Sequence, residues 1–82
     1  MEIIVEENFY KKVKKMPKDV QKRALEVLKL LENFPFIRLN IKKLKGKERS
    51  FRVRIGRYRI LFILVDNKIY VSDIDIRSKV EY

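Results

Sequence analysis

Residues 51–62 read Phe-Arg-Val-Arg-Ile-Gly-Arg-Tyr-Arg-Ile-Leu-Phe, so apolar and basic side chains alternate at the two-residue period of a strand. Gly56 falls where a tight hairpin needs a residue tolerant of positive φ. With Gly56 and Arg57 as the loop, Ile55 faces Tyr58, Arg54 faces Arg59, Val53 faces Ile60 and Phe51 faces Phe62. One side of the hairpin then carries Phe51, Val53, Ile55, Tyr58, Ile60 and Phe62, a core surface. The other carries Arg52, Arg54 and Arg59. Like charges set opposite each other on neighbouring strands cost stability, and alternation alone does not require arginine. An anionic ligand gripped by several guanidinium forks on one stiff surface explains the choice. Phosphate is the candidate.

The wider segment strengthens that reading. Lys42, Lys43, Lys45, Lys47, Arg49, Arg52, Arg54, Arg57 and Arg59 stand against a single acid, Glu48. Such a run attracts a phosphate backbone strongly and in a salt-sensitive way. The competing explanation for the lysines is a solvated edge that discourages sheet-to-sheet aggregation. Phe51, Tyr58 and Phe62 belong to the core side, so they read as packing and not as base-stacking platforms. Asp75 is expected opposite Arg59, as a structural ion pair in preference to a catalytic carboxylate, and Asp73 as a solvated acid. Beyond the last strand, Arg77 would emerge near the basic face. Tyr82 is either a proton-transfer or stacking group folded over that face, or a frayed end.

Composition limits the partners. The chain has 82 residues and a formal charge of +10, from 21 Lys and Arg against 11 Asp and Glu. That imbalance points to nucleic acid, an acidic protein or an anionic membrane. A membrane is the poorest fit, because the longest apolar run, 60–65, is far below a spanning length and no charged-then-apolar leader opens the sequence. Absence of cysteine removes a disulfide framework and thiol catalysis, and fits a cytoplasmic protein. Absence of histidine as well removes the usual general base and makes a zinc site implausible, so neither metal nor cofactor is expected.

The positioning elements follow from periodicity. Residues 2–6 hold Ile3, Ile4 and Val5, a β-branched run that reads as a first strand. Asn8 is expected to cap a helix over 9–16, with Phe9, Val13 and Met16 on one face. Pro17 ends it and opens a second helix over 18–33, whose Val20, Ala24, Val27, Leu28 and Leu31 form one stripe. Pro35 stops that helix. Residues 36–50 read as a connection pinned by Ile37, Leu39, Ile41 and Leu44, followed by strands at 50–55, 57–65 and 69–76. A three-residue loop, Asp66-Asn67-Lys68, would set Val65 against Ile69, Ile60 against Ile74 and Arg59 against Asp75. The expected fold is α+β in the order β-α-α-β-β-β, one domain over 1–82, with two helices on one face of an antiparallel sheet.

Three stretches carry a resemblance to a known family. These are Lys43-Leu44-Lys45-Gly46, the hairpin over 51–60 and the tail over 77–82. Within 43–65, Leu-x-Gly, Arg-x-Arg-x-Gly and Tyr-Arg recur in register. Together they resemble the RelE branch of the RelE/ParE toxin superfamily, and the element order does so along the whole chain. The resemblance implies the toxin of a type II toxin–antitoxin pair, a metal-independent, ribosome-dependent endoribonuclease. In such enzymes the 2′-hydroxyl of messenger RNA attacks the adjacent phosphate, leaving a 2′,3′-cyclic phosphate and a 5′-hydroxyl. Arg59 would take the place of the main transition-state arginine. Arg52 and Arg54 would serve phosphate binding and proton transfer, Arg77 would correspond to the carboxy-terminal arginine, and Tyr82 loosely to the terminal tyrosine.

This chain departs from the pattern at Arg57, where many relatives carry Asp, and at Glu81, inserted before Tyr82. Arginine stays protonated and is a poor base, so Tyr82 or a lysine within 42–47 would have to accept the proton. Three other readings keep the positive surface: a ParE-like gyrase inhibitor, a module that only grips RNA, and an inactive relative kept for protein interaction. The expected partners are the ribosome with its message and an acidic antitoxin. Apolar Leu61, Ile63 and Val65, which share the side of Arg59, hint at a covered surface.

Overall fold

The computed structural model describes residues 1–34, 41–44, 46 and 49–76. In chain order these form β1 (Glu2–Val5), α1 (Glu7–Val13), α2 (Lys18–Leu31), β2 (Ile41–Lys43), β3 (Ser50–Ile55), β4 (Tyr58–Val65) and β5 (Lys68–Ile76). The strands make one sheet in the order β1-β5-β4-β3-β2. The α+β class and the helix–sheet layering are as expected. Two details differ: β1 lies parallel to β5, and Ile41–Lys43 adds a fifth strand antiparallel to β3. Three residues are too few to show a period, so β2 exists because β3 offers it an open edge, not because its own sequence demands a strand.

Both helices cover the same face. Phe9 from α1 and Ala24, Val27 and Leu31 from α2 meet Val53, Ile55, Ile60, Phe62, Ile69, Val71 and Ile74 in one buried core. Phe51 and Phe62, register partners on β3 and β4, stack with centroids 5.4 Å apart. Phe34, just past α2, meets Phe51 and Phe62 edge-on at 5.6 and 5.8 Å. The helix end is thereby clamped onto the middle of the hairpin.

The helix boundaries shift for identifiable reasons. α1 begins at Glu7, with Glu6 at its N-cap and no side-chain cap. Asn8 is not the cap; its Nδ2 donates to the Ser72 carbonyl at 3.3 Å and ties the helix to β5. At the other end, Gln21 Nε2 donates to the carbonyls of Met16 at 2.8 Å and Lys14 at 3.2 Å. A side chain of α2 thus satisfies acceptors that the end of α1 leaves open. Pro17 occupies the N-cap of α2, where its fixed φ costs nothing.

The β4–β5 connection corrects the expected loop. Only Asp66 and Asn67 form the turn, both at positive φ (48° and 66°), and Val65 pairs with Lys68. Asp and Asn are the non-glycine residues that tolerate this conformation best. Ile69 and Val71 are fully buried, which the three-residue loop would have prevented by turning them to the opposite face. The register then slips by one residue between Leu61 and Phe62, leaving Ser72 as the extra residue on β5. That bulge restores the pairs Ile60–Ile74 and Arg59–Asp75, the same pairs that a three-residue loop without a bulge would give.

Candidate nucleic-acid interface

The β3–β4 hairpin turns through Gly56 at φ 62°, with Arg57 beside it at the tip. Val53, Ile55 and Ile60 are buried under the helices. Since side chains alternate along a strand, Arg52, Arg54 and Arg59 must stand on the uncovered face. Arg54 and Arg59 are direct cross-strand partners, and Lys42 of β2 pairs with Arg52. Four cations therefore share one surface whose spacing is set by the sheet.

Arg59 is the most confined of them. Its side chain is 17% exposed, and its Nε donates to Asp75 Oδ1 at 3.2 Å. Asp75 thus forms the ion pair expected from register, holding the guanidinium at a fixed point between Arg54 and β5. Asp73 is not simply solvated: Lys12 of α1 approaches its Oδ1 at 2.9 Å, and the same oxygen accepts from the Ile74 amide at 2.8 Å. The acids on β5 are thus both engaged by identifiable partners, one of them from outside the arginine face.

The remaining sequence candidates separate. Lys43 pairs with Phe51 and so projects on the helix-covered side, away from Lys42. Arg49 lies beyond the start of β3, where it lines a cavity with Met1, Phe51, Leu64, Asp66 and Asn67. It does not join the Arg54–Arg59 cluster. Arg57 faces a cleft toward α2, lined also by Asp19, Val20, Arg23, Ile55, Gly56 and Tyr58. Arg23 had no signal in the sequence, because on a helix it reads as an ordinary solvated charge. Lys45, Lys47, Arg77 and Tyr82 lie outside the described residues.

The same uncovered face carries an apolar strip. Leu61, Ile63 and Val65 follow Arg59 along β4, with Tyr70 and Ile4 beside Ile63 across β5 and β1, and all five are half-buried. A cationic end and an apolar end therefore sit on one sheet. Guanidiniums held by a sheet can engage a phosphate without first losing conformational freedom.

The arrangement of two helices on one face of a sheet is shared with solved toxin structures. A chain of the RelB–RelE antitoxin–toxin complex from Methanococcus jannaschii superposes with a TM-score of 0.79 at 26% identity, covering 90% of each chain. The archaeal RelE–RelB complex from Pyrococcus horikoshii OT3 gives 0.81 at 25% identity, over 96% of this chain and 97% of that one. Isolated RelE from E. coli shares the fold with a TM-score of 0.79 at 19% identity, over 98% and 87%. By sequence, the toxin RelE3 of Methanocaldococcus jannaschii is 32% identical over 63 residues, 73% of this chain and 72% of the relative. The chain belongs to the RelE family of toxins. No family model matches it.

Proposed function

We propose that this protein is the toxin of a toxin–antitoxin pair and cleaves messenger RNA on the ribosome, in the cytoplasm, through its 82-residue RelE-like domain. The observation that carries the reading is the placement of Arg52, Arg54 and Arg59 on one uncovered sheet face, with Arg54 and Arg59 directly opposed. Nothing in the packing of the core asks for that arrangement, whereas a pentacoordinate phosphate does. As the 2′-oxygen adds to phosphorus, negative charge grows on the non-bridging oxygens, and preorganised guanidiniums stabilise it more than they stabilise the ground state.

In this scheme Arg59 is the principal transition-state cation, fixed by Asp75, and Arg54 completes a two-armed clamp. Arg52 and Lys42 hold a neighbouring phosphate and set the direction of the strand. Arg77 and Tyr82 are the further candidates for charge stabilisation and proton transfer. Lys43, Lys45, Lys47, Arg49 and Arg57 contribute long-range attraction to RNA. An acidic antitoxin would cover the arginine end and lay apolar side chains over Leu61, Ile63 and Val65. The relatives solved as antitoxin–toxin complexes support such a partner.

The test is translation in vitro with mapping of the 5′ ends of message, wild type against Arg59→Ala. Cuts within the ribosomal A site that vanish in the variant support the proposal. Intact message in the presence of the wild-type chain would exclude it.

A further inference from the structure

A recess of mixed, largely apolar lining lies around the corner from the arginine face. It has a volume of about 220 Å³ and lies between the first turns of α2 and the hairpin tip. Its walls are Asp19, Val20 and Arg23 on one side and Ile55, Gly56, Arg57 and Tyr58 on the other. That is smaller than the roughly 300–1,000 Å³ of pockets for drug-sized molecules and suits one planar heterocycle.

The chemistry of the walls is mixed in an informative way. Arg23 and Arg57 supply two guanidiniums, Asp19 one carboxylate, Tyr58 an aromatic ring and Val20 and Ile55 apolar surface. Among the described residues, Asp19, Arg23 and Arg57 form no ion pair and no side-chain hydrogen bond, although Asp19 and Arg23 are four apart on one helix face. Their polar groups are uncommitted. A bare phosphate would suit the arginines but not the carboxylate that lines the same cleft. A nucleotide suits all of them: its phosphate takes the guanidiniums, its base lies against the part of the Tyr58 ring that reaches the cleft while the rest packs on the core, and its base edge meets Asp19.

Continuity with the first site supports this assignment. Arg57, Tyr58 and Arg59 are consecutive, so the strand that ends one site begins the other. We propose that the α2–hairpin cleft is a second nucleotide subsite, receiving the residue next to the phosphate clamped by Arg54 and Arg59. The inference rests on the reading of this protein as an RNA-cleaving toxin and extends it to a neighbouring base. A carboxylate only accepts hydrogen bonds, so Asp19 favours bases with an exocyclic amino group over uracil, whose N3–H donor is flanked by two carbonyl oxygens that repel the carboxylate.

The experiment is titration of the isotopically labelled full chain with CMP, AMP, UMP and inorganic phosphate, followed by amide chemical shifts. CMP and AMP should give saturable shifts at Val20, Arg23, Gly56 and Arg57, with UMP weaker by about threefold or more. Arg23→Ala, at an exposed helix position that the fold does not need, should weaken CMP binding about tenfold. Asp19→Asn should erase the preference over UMP, because an amide both donates and accepts. Shifts confined to the sheet face, equal binding of inorganic phosphate at the cleft, or equal binding of UMP would each overturn the proposal. The message-cleavage assay separates the two claims. Cleavage by wild type with an indifferent cleft removes the subsite alone, and nucleotide binding without cleavage removes the nuclease reading alone.

Discussion

Arg59 and Asp75 face each other across β4 and β5 with Nε 3.2 Å from Oδ1, while Arg54 faces Arg59 from the other side on β3. One guanidinium is thus held between an acid and a like charge. The acid fixes its direction, and the like charge makes an incoming anion welcome. Replacing Asp75 by Asn keeps an acceptor but removes one negative charge from the face. Single-stranded RNA should then bind more tightly while cleavage slows, because Arg59 is less well directed. Filter binding and single-turnover cleavage together check this. Stability should change by less than about 1 kcal/mol, since Asp75 is more than a third exposed.

Salt dependence counts the contacts. Each phosphate neutralised by a side chain contributes about 0.7 to the slope of log K against log salt for a single strand. Arg52→Ala and Arg54→Ala should each lower the slope of a short RNA by roughly that amount. Lys43→Ala, on the opposite side of β2, should lower it far less. Equal losses from all three would mean that attraction is diffuse and that the sheet face has no special role.

Much of this surface was legible because alternation is a strong signal in the β3–β4 hairpin. Six strand residues before the glycine turn and eight after it leave little choice of register, and the structure has the pairs Phe51–Phe62 through Ile55–Tyr58 as read. The β5 end was harder. The buried residues Ile69, Val71 and Ile74 break strict alternation, and either a longer loop or a bulge can absorb the extra residue. The burial of both Ile69 and Val71 decides for the bulge. Arg23 and Tyr58 form one wall each of a cleft between distant segments, and no local pattern announces such a meeting. The single-residue slip at Ser72 and the Gln21 bridge between the helices are likewise tertiary facts.

The turn at Asp66-Asn67 is a site for gain of stability. Both residues adopt positive φ, which costs an L-residue energy that glycine does not pay. Asn67→Gly should therefore be neutral or stabilising by up to about 0.5 kcal/mol, whereas Asn67→Val should destabilise by roughly 1–2 kcal/mol. Thermal unfolding of the two variants is the measurement. The turn is remote from Arg54, so RNA binding should be the same in both.

Phe62 carries more of the core than any single strand residue around the site. It is fully buried, stacks on Phe51 and receives the edge of Phe34. Phe62→Ala should cost about 3–5 kcal/mol, a large part of the stability of so small a chain. Phe62→Leu fills part of the space and should cost much less. Denaturant midpoints test the ranking, and a mild effect of Phe62→Ala would show that the aromatic trio does not anchor α2 to the hairpin.

The opposed pair Arg54–Arg59 carries the sharpest conflict between stability and function. Two like charges directly across a ladder destabilise the sheet, and Asp75 offsets them in part from the far side of Arg59. Arg54→Thr removes the repulsion and introduces a β-branched residue well suited to a strand. The fold should gain about 0.5 kcal/mol, read as a higher denaturant midpoint. RNA affinity should fall about tenfold, because one arm of the proposed phosphate clamp is gone. A functional surface that carries avoidable strain should show these opposite signs in one variant. If Arg54→Thr were instead less stable and bound RNA as well as wild type, Arg54 would belong to the scaffold, and the clamp would reduce to Arg59 with Arg52.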